Sequence, residues 1–352
     1  MNQQIIKTQS LEYSLVSLSW REVLVIVSPT SMKKMNDSCK DILNSKKDHV
    51  IFTSDINYDG ILEVLQDKHP ITIIGIGGGT AIDYAKYIAR QLQSNCIAIP
   101  SMLSTNVFAT NKVAVTTNGF KHTESGVLPN EIWLDWGYLS QSYQENLYGL
   151  VDVFSIYNAL RDWKYAQEHQ SLVIDTNIWI RAMKLLFRAI DVANHVDPVD
   201  GKELFEVVKE AGYITNDYGS GRPESGSEHI FASVLESNIK IPHALSVTLG
   251  LYVMEYLNYY EHIDSMIPFS ILPFKQLRLI DQINQMKIPY KVVQQVLSQL
   301  KPRQDKFTLV DIVQNKLHHP VIQNGLENFL SIQGFKFEGS NTSSFVSDIN
   351  KN

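Results

Sequence analysis

Two cysteines, Cys39 and Cys96, are all that 352 residues contain. That scarcity excludes a disulfide framework and predicts reduced core thiols, one in a helix and one opening a buried strand. Charge is also sparse. Charged residues make up 19% of the chain, its formal net charge is −6, and it has no long basic run. This argues against nucleic acid as a partner. No apolar run reaches the roughly 20 residues that span a bilayer, so no membrane partner is expected. The opening Met-Asn-Gln-Gln-Ile-Ile-Lys lacks a signal-peptide pattern. Together these absences predict a cytoplasmic protein.

What is present is a substantial apolar fraction, 44% of residues, in a length that accommodates two domains. The organising stretch is residues 71–86. A β-branched apolar run (71–76) reads as a buried parallel strand. Gly77, Gly78 and Gly79 follow, and residues 80–90 carry helical spacing through Ile82, Ala85, Ile88 and Ala89. Strand, glycine turn and helix in that order form an anion site. Glycine lets backbone N–H groups approach a phosphate, and the helix N-terminus adds partial positive charge. The bland alternative is a tight turn without a ligand.

Around it the pattern alternates. Strands are predicted at 22–28, 49–53, 96–100 and 131–135, and helices at 32–45, with Ser31 as a cap, and at 60–66. Such alternation predicts a parallel sheet with helices on both faces, whose ligands bind at the carboxyl ends of strands. The segment 101–112 is rich in hydroxyl and amide side chains suited to a nucleotide, or else is an ordinary polar loop. Asn118-Gly119 predicts a hairpin turn between 112–116 and 122–127. Beyond Trp136, helical periodicity dominates to about residue 332, interrupted by glycines and prolines such as Pro198 and Pro242. The expected organisation is an α/β domain over 1–149, an all-helical domain over 150–338 and a mobile polar tail over 339–352.

Asp152, His229 and His243 stand out in the helical half. A carboxylate and two imidazoles are the ligand types that hold a divalent cation with positions left open. Their wide separation specifies nothing by itself. Asp152, read as beginning a helix, also suits an N-cap; His229 suits a core histidine and His243 a surface one.

In combination, these segments have a family likeness. Gly-Gly-Gly-Thr-Ala-Ile-Asp-Tyr-Ala-Lys (77–86) resembles the glycine motif of the superfamily that contains iron-dependent alcohol dehydrogenases, glycerol-1-phosphate dehydrogenases and 3-dehydroquinate synthases. Residues 100–106 resemble its second cofactor segment. Residues 148–163 are similar to the first metal-ligand helix of glycerol-1-phosphate dehydrogenases, and Gly226-Ser-Glu-His and Pro242-His resemble the other two ligand sites. The resemblance implies a dehydroquinate synthase-like fold: a nucleotide-binding α/β domain with a parallel sheet, an all-α domain, and an active site in the cleft between them. It implies NAD(P) held by Gly77, Gly78, Gly79, Thr80 and Ala81, with Ser101, Ser104 and Thr110 further along and Asp83 as the motif's acid. It also implies a metal, zinc first and otherwise nickel or iron, on Asp152, His229 and His243, which are then the catalytic set.

The departures lie in the substrate set. Asn106 stands where the glycerol-1-phosphate dehydrogenases have an aspartate, and Ser233 where they have a histidine. Ala244-Leu245 follows the second ligand histidine in place of Gly and a polar residue. Asn106, Ser233 and Asp152, with Lys112 and Arg222 as cations, are the candidate contacts for a small phosphorylated substrate. The implied function is a metal-dependent, NAD(P)-linked oxidoreductase acting on a phosphorylated alcohol or ketone. The alternatives are a sugar-phosphate cyclase of the dehydroquinate-synthase type and a cofactor-binding protein without turnover. Self-association is compatible with each.

Overall fold

The structure is a computed structural model that describes residues 4–58, 60, 61, 65, 70–117, 120–195, 201–262 and 267–339. The expected turn at Asn118-Gly119, most of the expected helix 60–66, Pro198 and the tail beyond 339 lie outside the described residues.

The described strands are β1 (Ile5–Thr8), β2 (Val23–Val27), β3 (Val50–Phe52), β4 (Thr72–Gly77), β5 (Asn95–Pro100), β6 (Lys112–Thr117), β7 (Phe120–Ser125) and β8 (Glu131–Leu134). Six of them form a parallel sheet in the order β1-β8-β5-β4-β2-β3, and β6 with β7 forms a separate antiparallel pair. The helices used below are α1 (Leu11–Val16), α2 (Pro29–Lys33), α3 (Asp37–Ser45), α4 (Gly79–Leu92), α5 (Trp136–Ser140), α6 (Tyr143–Phe154), α7 (Ile156–Gln170), α8 (Thr176–Asn194), α9 (Gly201–Tyr218), α10 (Ser227–Asn238), α11 (His243–Tyr260), α12 (Leu279–Gln285), α13 (Tyr290–Gln299), α14 (Leu309–Val313) and α15 (Pro320–Ile332).

The apolar runs read as central strands are buried on both faces, and the pleat sorts them. Val25, Val27, Ile74, Ile76, Ile97 and Ile99 pack on one side with Leu15 of α1 and Cys39 of α3. Leu24, Ile26, Ile73 and Cys96 pack on the other with Ala85, Ile88 and Ala89 of α4. Both cysteines are free and buried, on opposite faces. At Gly75 an added Cβ would lie 2.9 Å from Ala85 Cβ, so this glycine lets α4 sit directly on the sheet.

Two helical expectations need correction. The helix predicted over 32–45 is two helices. Ser28, not Ser31, caps the first, α2, which contains Ser31, and Asn36 caps the second, α3. Asp152 does not begin a helix; it lies in the last turn of α6. The edge strand β1 has no counterpart in the sequence reading.

The chain divides into two compact units. The first comprises residues 1–150 and 200–216, and the second residues 151–199 and 217–352. Within the first, α9 packs so closely on 107–111 that a Cβ at Gly212 would lie 2.8 Å from the Ala109 backbone. Asn216 at its far end accepts from Asn111 N (2.9 Å) and donates to Ala109 O (2.9 Å). The second unit is helical. Its helix α11 is apolar on nearly all faces and buried along most of its length, the pattern of a central core helix. No described helix is long and apolar enough to cross a membrane.

Candidate active site

In the first unit three parallel strands end together. Val27 pairs with Ile76 and Gly77 with Pro100, so Ser28, the glycine turn and Ser101 leave the sheet side by side. Strand order reverses between β2 and β4, the place where doubly wound sheets bind ligands. Gly77 has φ +154°, and a Cβ there would meet Ala81 Cβ at 2.9 Å and Ser31 Oγ at 3.0 Å. Gly78 is the N-cap of α4 without a capping side chain. The first N–H groups of the helix, from Gly79 onward, therefore have no acceptor of their own, and Gly78, Gly79 and Thr80 are accessible. Cβ positions at Gly78 and Gly79 would face Met102 Sδ (3.4 Å) and Thr105 Oγ1 (3.6 Å), which places the 101–106 segment over the turn. Ser104 and Asn106 are half-buried in that segment.

The remaining expected cofactor residues hold the site together from behind. Ala81 is buried against Gly77. Ser101 is fully buried, its hydroxyl 2.9 Å from Ser31 Oγ, which in turn meets Ser28 Oγ. Thr110 is buried and bonds Asn216 Oδ1. Asp83 is buried too. One oxygen pairs with Lys86 Nζ (3.3 Å) and the other accepts from Ala114 N (3.2 Å). Lys86, with no exposed surface, also donates to the carbonyls of Val107 (2.9 Å) and Lys112. Burial pulls its pKa down against the pull of Asp83. This pair ties α4 to the 107–114 segment.

In the second unit the structure brings Asp152, His229 and His243 together. Their ligand atoms all lie within 4.8 Å of one another. Asp152 Oδ1 is 4.0 Å from His229 Nε2 and 3.6 Å from His243 Nε2. Each residue comes from a different helix: the last turn of α6, the first turn of α10 and the first residue of α11. Gly250 lets α10 and α11 approach, since a Cβ there would lie 2.7 Å from Glu228 O. Both imidazoles are fixed from the far side. His229 Nδ1 is 2.7 Å from Glu228 Oε1, and His243 Nδ1 is 2.6 Å from Glu236 Oε1, which also accepts from Ser246 Oγ at 2.6 Å. A carboxylate at Nδ1 keeps the proton there and leaves the Nε2 lone pair facing Asp152, the arrangement of metal-binding histidines. Burial pushes the Glu228 carboxyl up, but hydrogen bonds from His229, Gly226 and Asn158 outweigh it and hold it below the usual range. The three side chains keep between 18% and 34% of their surface, so the cluster is open on one side.

The expected substrate residues differ in setting. Ser233 is exposed one turn beyond His229 on α10. Lys112 is half-buried at the start of β6. Arg222 is buried; it donates to Phe307 O at 3.2 Å, and burial lowers its pKa. In the second unit, sequence reasoning missed the polar residues Asp162, Asn158 and Lys306, and in the first unit Asn216. Lys306 pins the 221–225 turn through Gly221 O (3.2 Å) and Ser225 O (2.7 Å). Asp162 and Asn158 are considered below. Asn158 and Asp162 lie in the quoted ligand-helix segment, but no spacing rule marks either.

A family model described as iron-containing alcohol dehydrogenase matches residues 6–142. The chain is 26% identical to a glycerol-1-phosphate dehydrogenase (NAD(P)+) of Thermoplasma volcanium over 68% of this chain and 71% of the relative. It is also 26% identical to the same-named protein of Hyperthermus butylicus over 74% and 79%. A crystal structure of glycerol dehydrogenase from Schizosaccharomyces pombe superposes with a TM-score of 0.64, covering 96% of this chain and 94% of its own, at 14% identity. That likeness shows the fold.

Proposed function

From a chain that belongs to the iron-containing alcohol dehydrogenase superfamily, we propose a metal-dependent, NAD(P)-linked oxidoreductase acting on a small phosphorylated alcohol or ketone. The observation that carries the metal reading is the doubly clamped triad. Two imidazoles with Nδ1 held by carboxylates, and one aspartate facing both Nε2 atoms, are the donor set of a divalent cation with open positions. Asp152, His229 and His243 would hold it, zinc first among the metals that suit two nitrogens and an oxygen, with nickel or iron as alternatives. Bound there, the cation supplies Lewis-acid polarisation of the substrate oxygen, and the nicotinamide supplies the hydride donor or acceptor.

The residues of this chain do the rest. The N–H groups opening α4 at Gly78, Gly79 and Thr80 would bind the cofactor pyrophosphate, and Ser104 is a further proposed cofactor contact. Gly77 and Ala81 shape the turn, while Asp83, Ser101 and Thr110 act indirectly by fixing the backbone around it. Glu228 and Glu236 hold protons at Nδ1 of their histidines. Asn106, Lys112, Asp152, Arg222 and Ser233 are the proposed substrate contacts. The change from the related dehydrogenases at Asn106 and Ser233 supports a different substrate on retained chemistry.

The test is oxidation of NADH and NADPH by the purified protein with dihydroxyacetone phosphate. It is run before and after chelation and with zinc, nickel or iron restored. Cation-dependent oxidation supports the proposal together with that substrate. Stoichiometric cation and nucleotide binding without oxidation overturns that substrate. Release of phosphate from a phosphosugar without net change in NADH would instead identify a cyclase.

A further inference from the structure

The start of α10, which carries His229, lacks a cap of its own. Its N-cap is Gly226, with no side chain to accept from the first N–H groups. A residue from another helix does so. Asp162, in the middle of α7 and 1% exposed, accepts from Ser227 N at 2.5 Å through Oδ2. Its other oxygen accepts from Leu309 N at 2.7 Å, the first residue of α14. One buried carboxylate thus holds the N-termini of two helices against α7. Asn158, one turn earlier on α7, links this carboxylate to the metal cluster. Its Nδ2 lies 3.3 Å from Asp162 Oδ2, 2.8 Å from Ser227 Oγ and 2.5 Å from Glu228 Oε2. Glu228 in turn holds Gly226 N and His229 Nδ1, each at 2.7 Å.

The glycine supplies an independent observation. An ideal Cβ at Gly226 would lie 2.3 Å from Asp162 Oδ2, 3.0 Å from Glu228 Oε2 and 3.1 Å from Asn158 Nδ2. Any side chain at 226 displaces the carboxylate, the amide or the glutamate. The absence of a Cβ is therefore the condition for Asp162 to reach the turn. It also explains why a glycine, a poorer cap than serine or aspartate, stands at this position.

We propose that Asp162 is a positioning residue for His229: through Ser227, Asn158 and Glu228 it fixes the direction of His229 Nε2 and so the affinity of the cluster for a divalent cation. This rests on the metal reading above. The clamp of His243 by Glu236, with Ser246, uses none of these bonds, although Glu236 too lies on α10.

Asp162→Asn keeps the volume of the side chain but offers an amide N–H where one of two N–H donors needs an acceptor. Gly226→Ala keeps Asp162 and crowds it. Zn2+ affinity by chelator competition, the d–d spectrum of the Co2+-loaded protein and NADH affinity are measured for each variant beside the wild type. Both variants are expected to bind Zn2+ more weakly, by up to the roughly 10–100-fold that loss of a metal ligand's direct outer-sphere partner costs. An altered Co2+ spectrum and unchanged NADH affinity should accompany that loss. Wild-type Zn2+ affinity and Co2+ spectrum in both variants would overturn the proposal. So would failure of both to show a cooperative unfolding transition, which would make Asp162 a cap for the fold at large. A wild type that binds no Zn2+ or Co2+ defeats the metal reading itself, a different result from a wild type that binds while the variants bind equally well.

Discussion

The glycine turn of the first unit and the triad of the second are built from opposite materials. The turn is made of backbone. Its residues are contiguous, its groups are N–H donors that α4 leaves unused, and its main requirement is absence of side chains at Gly77, Gly78 and Gly79. The triad is made of side chains from three helices, 77 and 14 residues apart in sequence, each imidazole held by its own carboxylate. A backbone site tolerates change in the side chains around it but not in its geometry. A side-chain site tolerates small backbone shifts but not the loss of a donor.

The sharpest way to break this comparison is His243→Ala. It removes one of three donors and the imidazole that Glu236 holds. Zn2+ affinity should fall by more than the roughly 10–100-fold that follows loss of an outer-sphere partner, and NAD(P)H oxidation should fall with it. NADH affinity, measured by fluorescence, should stay within about twofold of wild type because the glycine turn is untouched. A parallel loss of NADH binding would show that the two sites are not separately built.

Lys86→Met asks the reverse question in the first unit. It removes the buried Lys86–Asp83 pairing and the Lys86 bonds to the carbonyls of Val107 and Lys112. Breaking a buried pair by removing one partner typically costs about 3–5 kcal/mol. The expected outcome, read by urea denaturation, is a loss of that size with weakened NADH binding and unchanged Zn2+ affinity. Gly77→Ala is the smaller version. The new Cβ at 2.9 Å from Ala81, on a backbone with φ +154°, should cost about 1–3 kcal/mol. Cofactor affinity should fall while the metal site keeps its own.

The same contrast explains what was legible in the sequence. The apolar runs of β2, β4 and β5 and the Gly77–Gly79 turn are local patterns, and they fold as read. Helix 32–45 was misjudged because Asn36 caps α3 from inside a polar stretch that looked continuous. Strand β1 escaped because it is short and exposed along its length, with no alternation to mark it. In the triad, the residue types were recognisable, but their spacing did not show their meeting, which only the family resemblance implied. Asp152 acts from the end of α6 rather than the start of a helix, and only tertiary packing at Gly250 brings α10 to α11. Asp162, Lys306 and Asn216 were invisible for one reason. Apart from Asn158, one turn from Asp162, their partners lie 65 to 147, 81 to 85 and 105 to 107 residues away, beyond any periodicity.

The smallest expected effect uses the scarcest residue. Cys39 and Cys96 both belong to the first unit, one on each face of its sheet. Burial, with the nearby charges of Glu12 and Asp135, pushes the Cys39 thiol up to about 11. Burial pushes Cys96 to about 12 against the opposing charge of Lys86. A thiolate is the reactive form, so at pH 8 neither should react with a thiol reagent until the first unit opens. Labelling in the folded state should be slow and should reach two thiols on denaturation. NADH at about 100 times its Kd stabilises the state it binds by about 2.7 kcal/mol and should slow labelling accordingly. Zn2+ alone should leave the rate unchanged, because its proposed ligands all lie in the second unit. Slowing by Zn2+ alone would mean that the first unit opens only together with the triad, and the division between a backbone site and a side-chain site would then be one of construction but not of stability.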